Sequence, residues 1–410
     1  MYFPSLPIDA RRVVLRFLDL MRRSKSPATE INSQMIHLLS TVTPGMLPSS
    51  WAGRIPPVTF QGRHKKLDKY VLNLKKPQNN PHPTFIDVGC GFPPVTTVDT
   101  ANTLPDWRVY GVDRSFFRYV VYDAENHYAC FNRYGQFQYY QSSAKPLDET
   151  PEIVRERFRS LFIELCAGMN APHEHDSEAV EKDGCKLITN HIRNFESENL
   201  TFLKSDLEEL DLPPADFIRC MNMLLYFDDG MRKTMNEHLA RLLEENGLLM
   251  TGFNHPFGIY ARYTVYRKNG GGTRPVEFAF SLDNLKPLGI GPWMTIADND
   301  REAELLADLS AAIRSDNDFW PQFNRRVDIL REKTGLCVRD DKGFLCFTNE
   351  GKTAHPFTVM SKMKELWQMM DGEGCTDGAV KALSKAGFTA WKNHVGDVAV
   401  LPPEGLLYML

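Results

Sequence analysis

The chain has 410 residues, with 48 Lys and Arg against 52 Asp and Glu, and a formal charge of −4. Its 42% hydrophobic, 11% aromatic and 24% charged residues are the proportions of a folded globular protein, which excludes a wholly disordered, collagen-like or coiled-coil chain. The length calls for two or three structural units, and the near-neutral charge carries no signature of nucleic-acid binding.

Asp9 is placed to cap a first helix whose apolar positions Val13, Val14, Phe17, Leu18 and Met21 fall on one broad face, while Arg11, Arg12, Arg16, Arg22 and Arg23 load the remainder. Such a helix packs on the body of the protein or, as the alternative, makes peripheral contact with an anionic membrane. No run reaches the ~18–20 apolar residues of a transmembrane segment, and no signal peptide with a small-residue cleavage site is seen. Eight cysteines without a C-x-x-C spacing argue against a disulfide framework or zinc ribbon, so a cytoplasmic location is expected. Pro44, Pro48, Pro56 and Pro57 interrupt the chain, and Lys75–Pro83 reads as a linker. Residues 1–80 are therefore expected to form a helical N-terminal cap.

From residue 81 the pattern alternates. Thr84–Val88, Arg108–Val112, Leu200–Leu203, Asp216–Met221 and Gly247–Phe253 read as buried strands, and Asp228–Glu245 has helical periodicity. Strand–helix alternation predicts an α/β fold, a doubly wound, mostly parallel, Rossmann-like sheet. Residues 114–199 exceed a single crossover and are expected to be an insertion, with an aromatic run from Phe116 to Tyr140 and a charged helix near Glu152–Ala167. Residues 255–360 are expected to be a second insertion, a lid over the substrate, with Gly270–Gly272 giving a loop freedom and a hairpin at Leu336–Phe347 in which Cys337 and Cys346 face each other. Residues 361–410 would return to complete a seven-stranded sheet, so that 81–254 is the core and the two insertions cap it.

In such a sheet a ligand binds beyond the carboxyl ends of the strands, where strand order reverses. The first strand ends in Asp87-Val88-Gly89-Cys90-Gly91, followed by Pro93 and Pro94, a turn that lets backbone approach a ligand and opens a helix. The second ends in Asp113, placed to accept hydrogen bonds from ribose hydroxyls, although a helix N-cap would also favour Asp. The third leads to Ser205-Asp206-Leu207, where an acid can reach an exocyclic amine or, again, cap a helix. His173-Glu174-His175-Asp176 has metal-ligand residue types but lies in a polar stretch that reads as an exposed loop, and no metal is expected.

The D-x-G-x-G turn, the acid after strand two and Ser-Asp after strand three resemble the class I S-adenosylmethionine-dependent methyltransferases. Phe217–Phe227, F-I-R-C-M-N-M-L-L-Y-F, is similar to the strand-four signature of the chemotaxis-receptor (CheR-type) glutamate methyltransferases, which also carry an insertion between strands two and three. The resemblance implies S-adenosyl-L-methionine as cofactor, with Asp87, Gly89 and Gly91 near its methionine part, Asp113 on the ribose, Asp206 and Leu207 at the adenine, and Asn222 and Met223 on the strand-four side. It places Tyr226 toward the acceptor. Pro93 stands where the family has a third glycine, the acidic pair of the chemotaxis enzymes is absent, and the 255–360 segment is foreign to them.

Methyl transfer is a direct displacement, and a general base is needed only for an acceptor that carries a proton near neutral pH. Tyr226, Asp228 and His255 are the candidates. The expected acceptor is a small molecule enclosed by the insertions. The alternatives are a protein carboxylate, as in the CheR-type enzymes, and a non-catalytic cofactor-binding regulator.

Overall fold

The computed structural model describes residues 6–37, 39, 59–74, 80–141, 149–169, 176–206, 209–255, 260–270, 272–293 and 295–407. Helices α1 (Ile8–Arg23) and α2 (Lys65–Leu72) precede β1 (Thr84–Val88), α3 (Val95–Thr103) and β2 (Arg108–Val112). There follow β3 (Tyr119–Tyr122), β4 (Tyr128–Phe131), β5 (Phe137–Gln141), α4 (Pro151–Ala167), β6 (Ala179–Lys182) and β7 (Cys185–Thr189). The chain continues with β8 (Leu200–Leu203), β9 (Ala215–Met221), α5 (Asp229–Arg241), β10 (Leu243–Asn254), β11 (Ala261–Asn269) and β12 (Gly272–Phe280). The remaining elements are α6 (Arg301–Arg314), α7 (Trp320–Lys333), β13 (Cys337–Arg339), β14 (Leu345–Phe347), α8 (Pro356–Gly372), α9 (Cys375–Lys385), β15 (Ala390–Lys392) and β16 (Val398–Val400).

The central sheet runs β15-β16-β12-β11-β10-β9-β1-β2-β8. From β8 to β10 neighbouring strands are parallel; from β10 to β15 they are antiparallel. It therefore has nine strands where seven were expected. The two strands beyond that count, β11 and β12, come from the 255–360 segment read as a lid. Tyr263 and Val265 of β11 and Phe278 and Phe280 of β12 are buried, so this hairpin extends the sheet. Gly270, at φ +61, sits in its tight turn.

Both faces of the sheet are covered. Phe85, Phe217 and Met250 pack with Leu67, Tyr70 and Val71 of α2 and Ala101 of α3. Ile86, Ile218 and Leu249 pack with Met235 and Leu239 of α5 on the opposite face. Further along that face, Phe278, Phe280, Val398 and Val400 join a core with α6, α7, α8 and α9.

Helix α1 lays Val14, Phe17, Leu20 and Met21 into this same core, and its Arg23 pairs with Asp308 and Glu304 of α6. Its broad apolar face is thus spent inside the protein, which leaves no such stripe for a membrane surface; Ile8, Leu15 and Leu18 remain exposed elsewhere on the helix. In the β13–β14 hairpin Cys337 pairs with Phe347 and Val338 with Cys346, so the two cysteines are one register apart and do not face each other.

The 114–199 segment folds as a separate antiparallel sheet, β5-β4-β3-β7-β6. Period-two alternation divides its aromatic residues between two faces. Phe131 and Tyr140 pack with Val154, Phe158 and Leu165 of α4. Val120, Tyr128, Cys130 and Tyr139 pack instead with Phe92, in the turn after β1.

Candidate functional site

Because β8, β2, β1, β9 and β10 are parallel, their carboxyl ends share one edge. The chain builds β1, β2 and β8 outward in one direction, then returns to lay β9 on the other side of β1, so strand order reverses between β1 and β9. That crevice is where an open α/β sheet binds its ligand.

On the β1 side lies the glycine turn. Gly89 and Gly91 have φ of +72 and +70, a left-handed conformation that side-chain-bearing residues adopt only at a cost. Gly89 N donates to Val112 O at 2.8 Å, bending the turn across the end of β2. A Cβ on Gly89 would stand 3.1 Å from Met223 Sδ, whereas one on Gly91 would meet nothing within 4 Å. Met223 therefore closes one side of the turn while Gly91 borders open space.

Asp113, half-buried at the end of β2, holds this turn. Its Oδ2 accepts from Gly91 N at 2.8 Å, and its Oδ1 accepts from Ser115 N at 2.7 Å and from the Ser115 hydroxyl. A carboxylate has about four acceptor positions, so one on Oδ2 is left for a ligand. Asp206 is exposed beyond β8, and Leu207 and His173–His175 lie outside the described residues.

Asp87 is committed elsewhere. Arg219, in the middle of β9, reaches it with Nε at 3.0 Å and Nη2 at 2.7 Å, Thr97 Oγ1 donates to it at 2.7 Å, and Arg219 also pairs with Asp68 of α2 at 2.7 Å. All three charged groups are buried. Burial pushes the Asp68 carboxyl up, against the Arg219 charge that pulls it down. An arginine inside the apolar run D-F-I-R-C-M was the available signal that buried acids must lie beside it.

The β9 side holds the other candidates. Asn222 adopts φ +62; its N donates to Gly252 O at 2.8 Å and its Oδ1 accepts from Asn254 N at 2.9 Å, which locks the ends of β9 and β10 together. Arg63, which sequence reasoning did not single out, donates from Nε to Asn254 O at 3.1 Å. Burial lowers its pKa to about 10, and no carboxylate forms a salt bridge with it among the described residues. His64 beside it is buried, sits 3.1 Å from Asn254 Nδ2, and is held well below its ordinary pKa by burial and by Arg219.

Tyr226 and His255 both feel the Arg63 charge. Burial pushes the Tyr226 phenol up to about 12, with Arg63 opposing, while burial and Arg63 push His255 down to about 4. At neutral pH the phenol keeps its proton and the imidazole is uncharged and weakly basic. Asp228 stands apart: it is exposed, and its Oδ1 accepts from Met231 N at 2.8 Å as the N-cap of α5.

The inner face of the second sheet meets the turn through Phe92. Tyr128 donates its hydroxyl to Phe92 O at 3.1 Å, and the Phe92 ring lies 5.5 Å from His191 and 5.8 Å from Tyr128.

No protein-family model matches the chain, and no curated protein matches it. Among solved structures it is similar to a precorrin-6y C5,15-methyltransferase from Geobacter metallireducens GS-15, at 14% identity and TM-score 0.22 over 46% of this chain and 60% of that one. It is similar to PKMT2 from Rickettsia typhi in complex with AdoHcy, at 17% identity and TM-score 0.23 over 48% of this chain and 26% of that one. A third is the N-methyltransferase NodS from Bradyrhizobium japonicum WM9 in complex with S-adenosyl-l-homocysteine, at 11% identity and TM-score 0.23 over 58% and 72%. The chain thus spans 60% and 26% of the length of the first two. At these TM-scores the likenesses carry no weight of their own, and the functional reading rests on the residues at the strand ends.

Proposed function

We propose that the protein is a methyltransferase that uses S-adenosyl-L-methionine and methylates a carboxylate on a small molecule. The observation that carries the reading is the meeting, at one sheet edge, of a glycine turn held by Asp113 with a buried Arg63 that lacks a carboxylate partner. The residues present suit the cofactor. Asp113 retains an acceptor position for ribose hydroxyls, Gly91 borders open space, and Met223 and Asn222 wall the opposite side. Asp206, with Leu207, would meet the adenine, and Asp87 would act from behind, through Arg219 and Thr97, by fixing the turn.

When bound, S-adenosylmethionine supplies an electrophilic methyl carbon and a thioether leaving group. Arg63 would draw in an anionic acceptor and orient it by charge-assisted hydrogen bonds. Tyr226, protonated at neutral pH, would donate a further one. His255 is too weakly basic to remove a proton efficiently, and Asp228 is engaged as a cap. The site is therefore suited to an acceptor that arrives already ionised, for which no general base is required. Alignment of carboxylate and methyl carbon can supply roughly 7–11 kcal/mol of barrier lowering. The aromatic face of the second sheet, through Phe92, supports a closed approach and hence a small acceptor.

A protein carboxylate is the second reading, favoured by the Asn222–Phe227 signature. The test incubates the full chain with methyl-labelled S-adenosylmethionine and a cell extract. Label in the low-molecular-mass fraction, released as methanol by mild alkali, is expected. Label on protein would support the second reading, alkali-stable label would overturn the carboxylate, and failure to bind either S-adenosylmethionine or its demethylated product would overturn the whole.

A further inference from the structure

Remote from the strand ends, the loop after α1 meets the segment before α6 and α7 around a recess of about 270 Å³ continuous with solvent, with Glu30, Lys286, Trp293 and Arg314 on its walls. Its charges do not balance. Lys286 pairs with Asp328; Arg339 pairs with Asp328 and Glu30; Arg331 comes no closer to a carboxylate than 3.7 Å, at Glu30 Oε2. Arg314 has two backbone partners, the carbonyls of Ser24 and Leu285, and no carboxylate among the described residues. Four cations thus face two acids in a region where Lys286, Trp293 and Arg331 are each almost wholly buried.

Several donors there have no acceptor. The indole Nε1 of Trp293, the Nε of Arg314, and the Nε and Nη1 of Arg331 lack hydrogen-bond partners. Buried donors are normally satisfied, and buried cations normally paired. The Arg314 guanidinium lies over the rings of Trp293 at 6.0 Å and Trp320 at 5.3 Å, which orients it without neutralising it. Burial lowers Arg314 to about 10 and Lys286 to about 8, as expected of cations short of counter-charge. One acceptor is also unspent, Glu30 Oε2. A ligand that answers this set carries two negative charges, several acceptor oxygens and one hydroxyl donor.

We propose that the recess binds a hydrogen phosphate group, with Arg314, Arg331 and Lys286 supplying charge, Trp293 a neutral N–H, and Glu30 Oε2 accepting the phosphate hydroxyl. The Glu30 acceptor makes the site selective, because sulfate has no proton to donate at neutral pH and would leave two anions opposed.

The test titrates inorganic phosphate, and sodium sulfate at matched ionic strength, into the full chain at pH 7.5, followed by calorimetry and thermal unfolding. Phosphate is expected to bind saturably and to raise Tm by about 2 °C at ten times its Kd, with sulfate at least tenfold weaker. Trp293→Phe should weaken phosphate several-fold. Arg314→Gln should abolish binding while keeping or raising the Tm of the unliganded protein, since it removes an uncompensated buried charge. No saturable phosphate binding, or equal binding in both variants, would overturn the proposal; equal affinity for sulfate would overturn the role of Glu30. None of these outcomes depends on methyl transfer, and the assay needs no cofactor.

Discussion

Arg219 and Asp87 form a two-pronged ion pair between adjacent parallel strands, with Nε–Oδ1 at 3.0 Å and Nη2–Oδ2 at 2.7 Å, inside the sheet and away from solvent. Thr97 and Asp68 complete it, so a charged group in β9 fixes both the start of the glycine turn and the packing of α2. A buried pair of this kind is of uncertain net worth, but removal of one member strands the others. Arg219→Met is expected to cost about 3–5 kcal/mol in urea unfolding. A cost below 1 kcal/mol would show that Asp68 and Asp87 are not ionised in the folded protein.

Asp113→Ala should weaken S-adenosylhomocysteine binding by roughly tenfold or more, the effect of leaving ribose hydroxyls and the Gly91 N–H without an acceptor, about 1–3 kcal/mol. Isothermal calorimetry reads this directly. Equal affinities in parent and variant would move the ribose elsewhere.

The two turn glycines should respond differently to alanine. Both pay for a left-handed φ, about 1–2 kcal/mol, but only at Gly89 does the new Cβ press on Met223, at 3.1 Å. Gly89→Ala is expected to be the more destabilising of the pair by thermal unfolding, and the reverse order would contradict the arrangement described here.

Asp228→Ala removes the α5 cap and should cost about 1 kcal/mol of stability. Since its carboxylate is exposed and engaged with Met231 N, cofactor affinity should stay unchanged. A large loss of affinity would return Asp228 to the site.

Asp283 carries the main acid-linked prediction. It is buried beside Ser281 and Asn284, and burial pushes its carboxyl up to about 8, with the Ser281 hydrogen bond opposing. The folded protein therefore holds a proton that the unfolded chain, at 3.8, has lost. That contribution to stability is complete below about pH 4 and is withdrawn as pH rises toward 8. Asp283→Asn mimics the protonated acid, so its stability relative to the parent should increase across this window by a few kcal/mol. A difference that stays constant with pH would refute a raised Asp283.

The strand ends were legible because chemistry and geometry coincide there. Thr84–Val88 is fully buried and stops at glycines, and Asp113 follows another short apolar run. The helix after β9 announced itself through Met235 and Leu239, which do face the sheet. The β11–β12 hairpin was not legible, since Arg262, Arg267, Lys268 and Glu277 interrupt its alternation. Only the fold reveals that Arg262 is buried against Asp300 and that Glu277 receives hydrogen bonds from Tyr70 and Asn393. Arg63 left no local trace because its partner, Asn254, is 191 residues away.

The pairing of β16 with β12 has a bearing on how the chain comes to be folded. A strand near residue 400 closes a sheet begun at residue 84, and Lys66 of α2 reaches Asp397 beside it. Contacts across such separations are slow to form, because the intervening loop entropy is lost before they are made. During synthesis the apolar surface of Phe278 and Phe280 must wait, uncovered, until Val398 and Val400 have left the ribosome. Acquisition of the native state is therefore expected to be a late, post-translational event in which a chaperone that shields that surface would raise the yield.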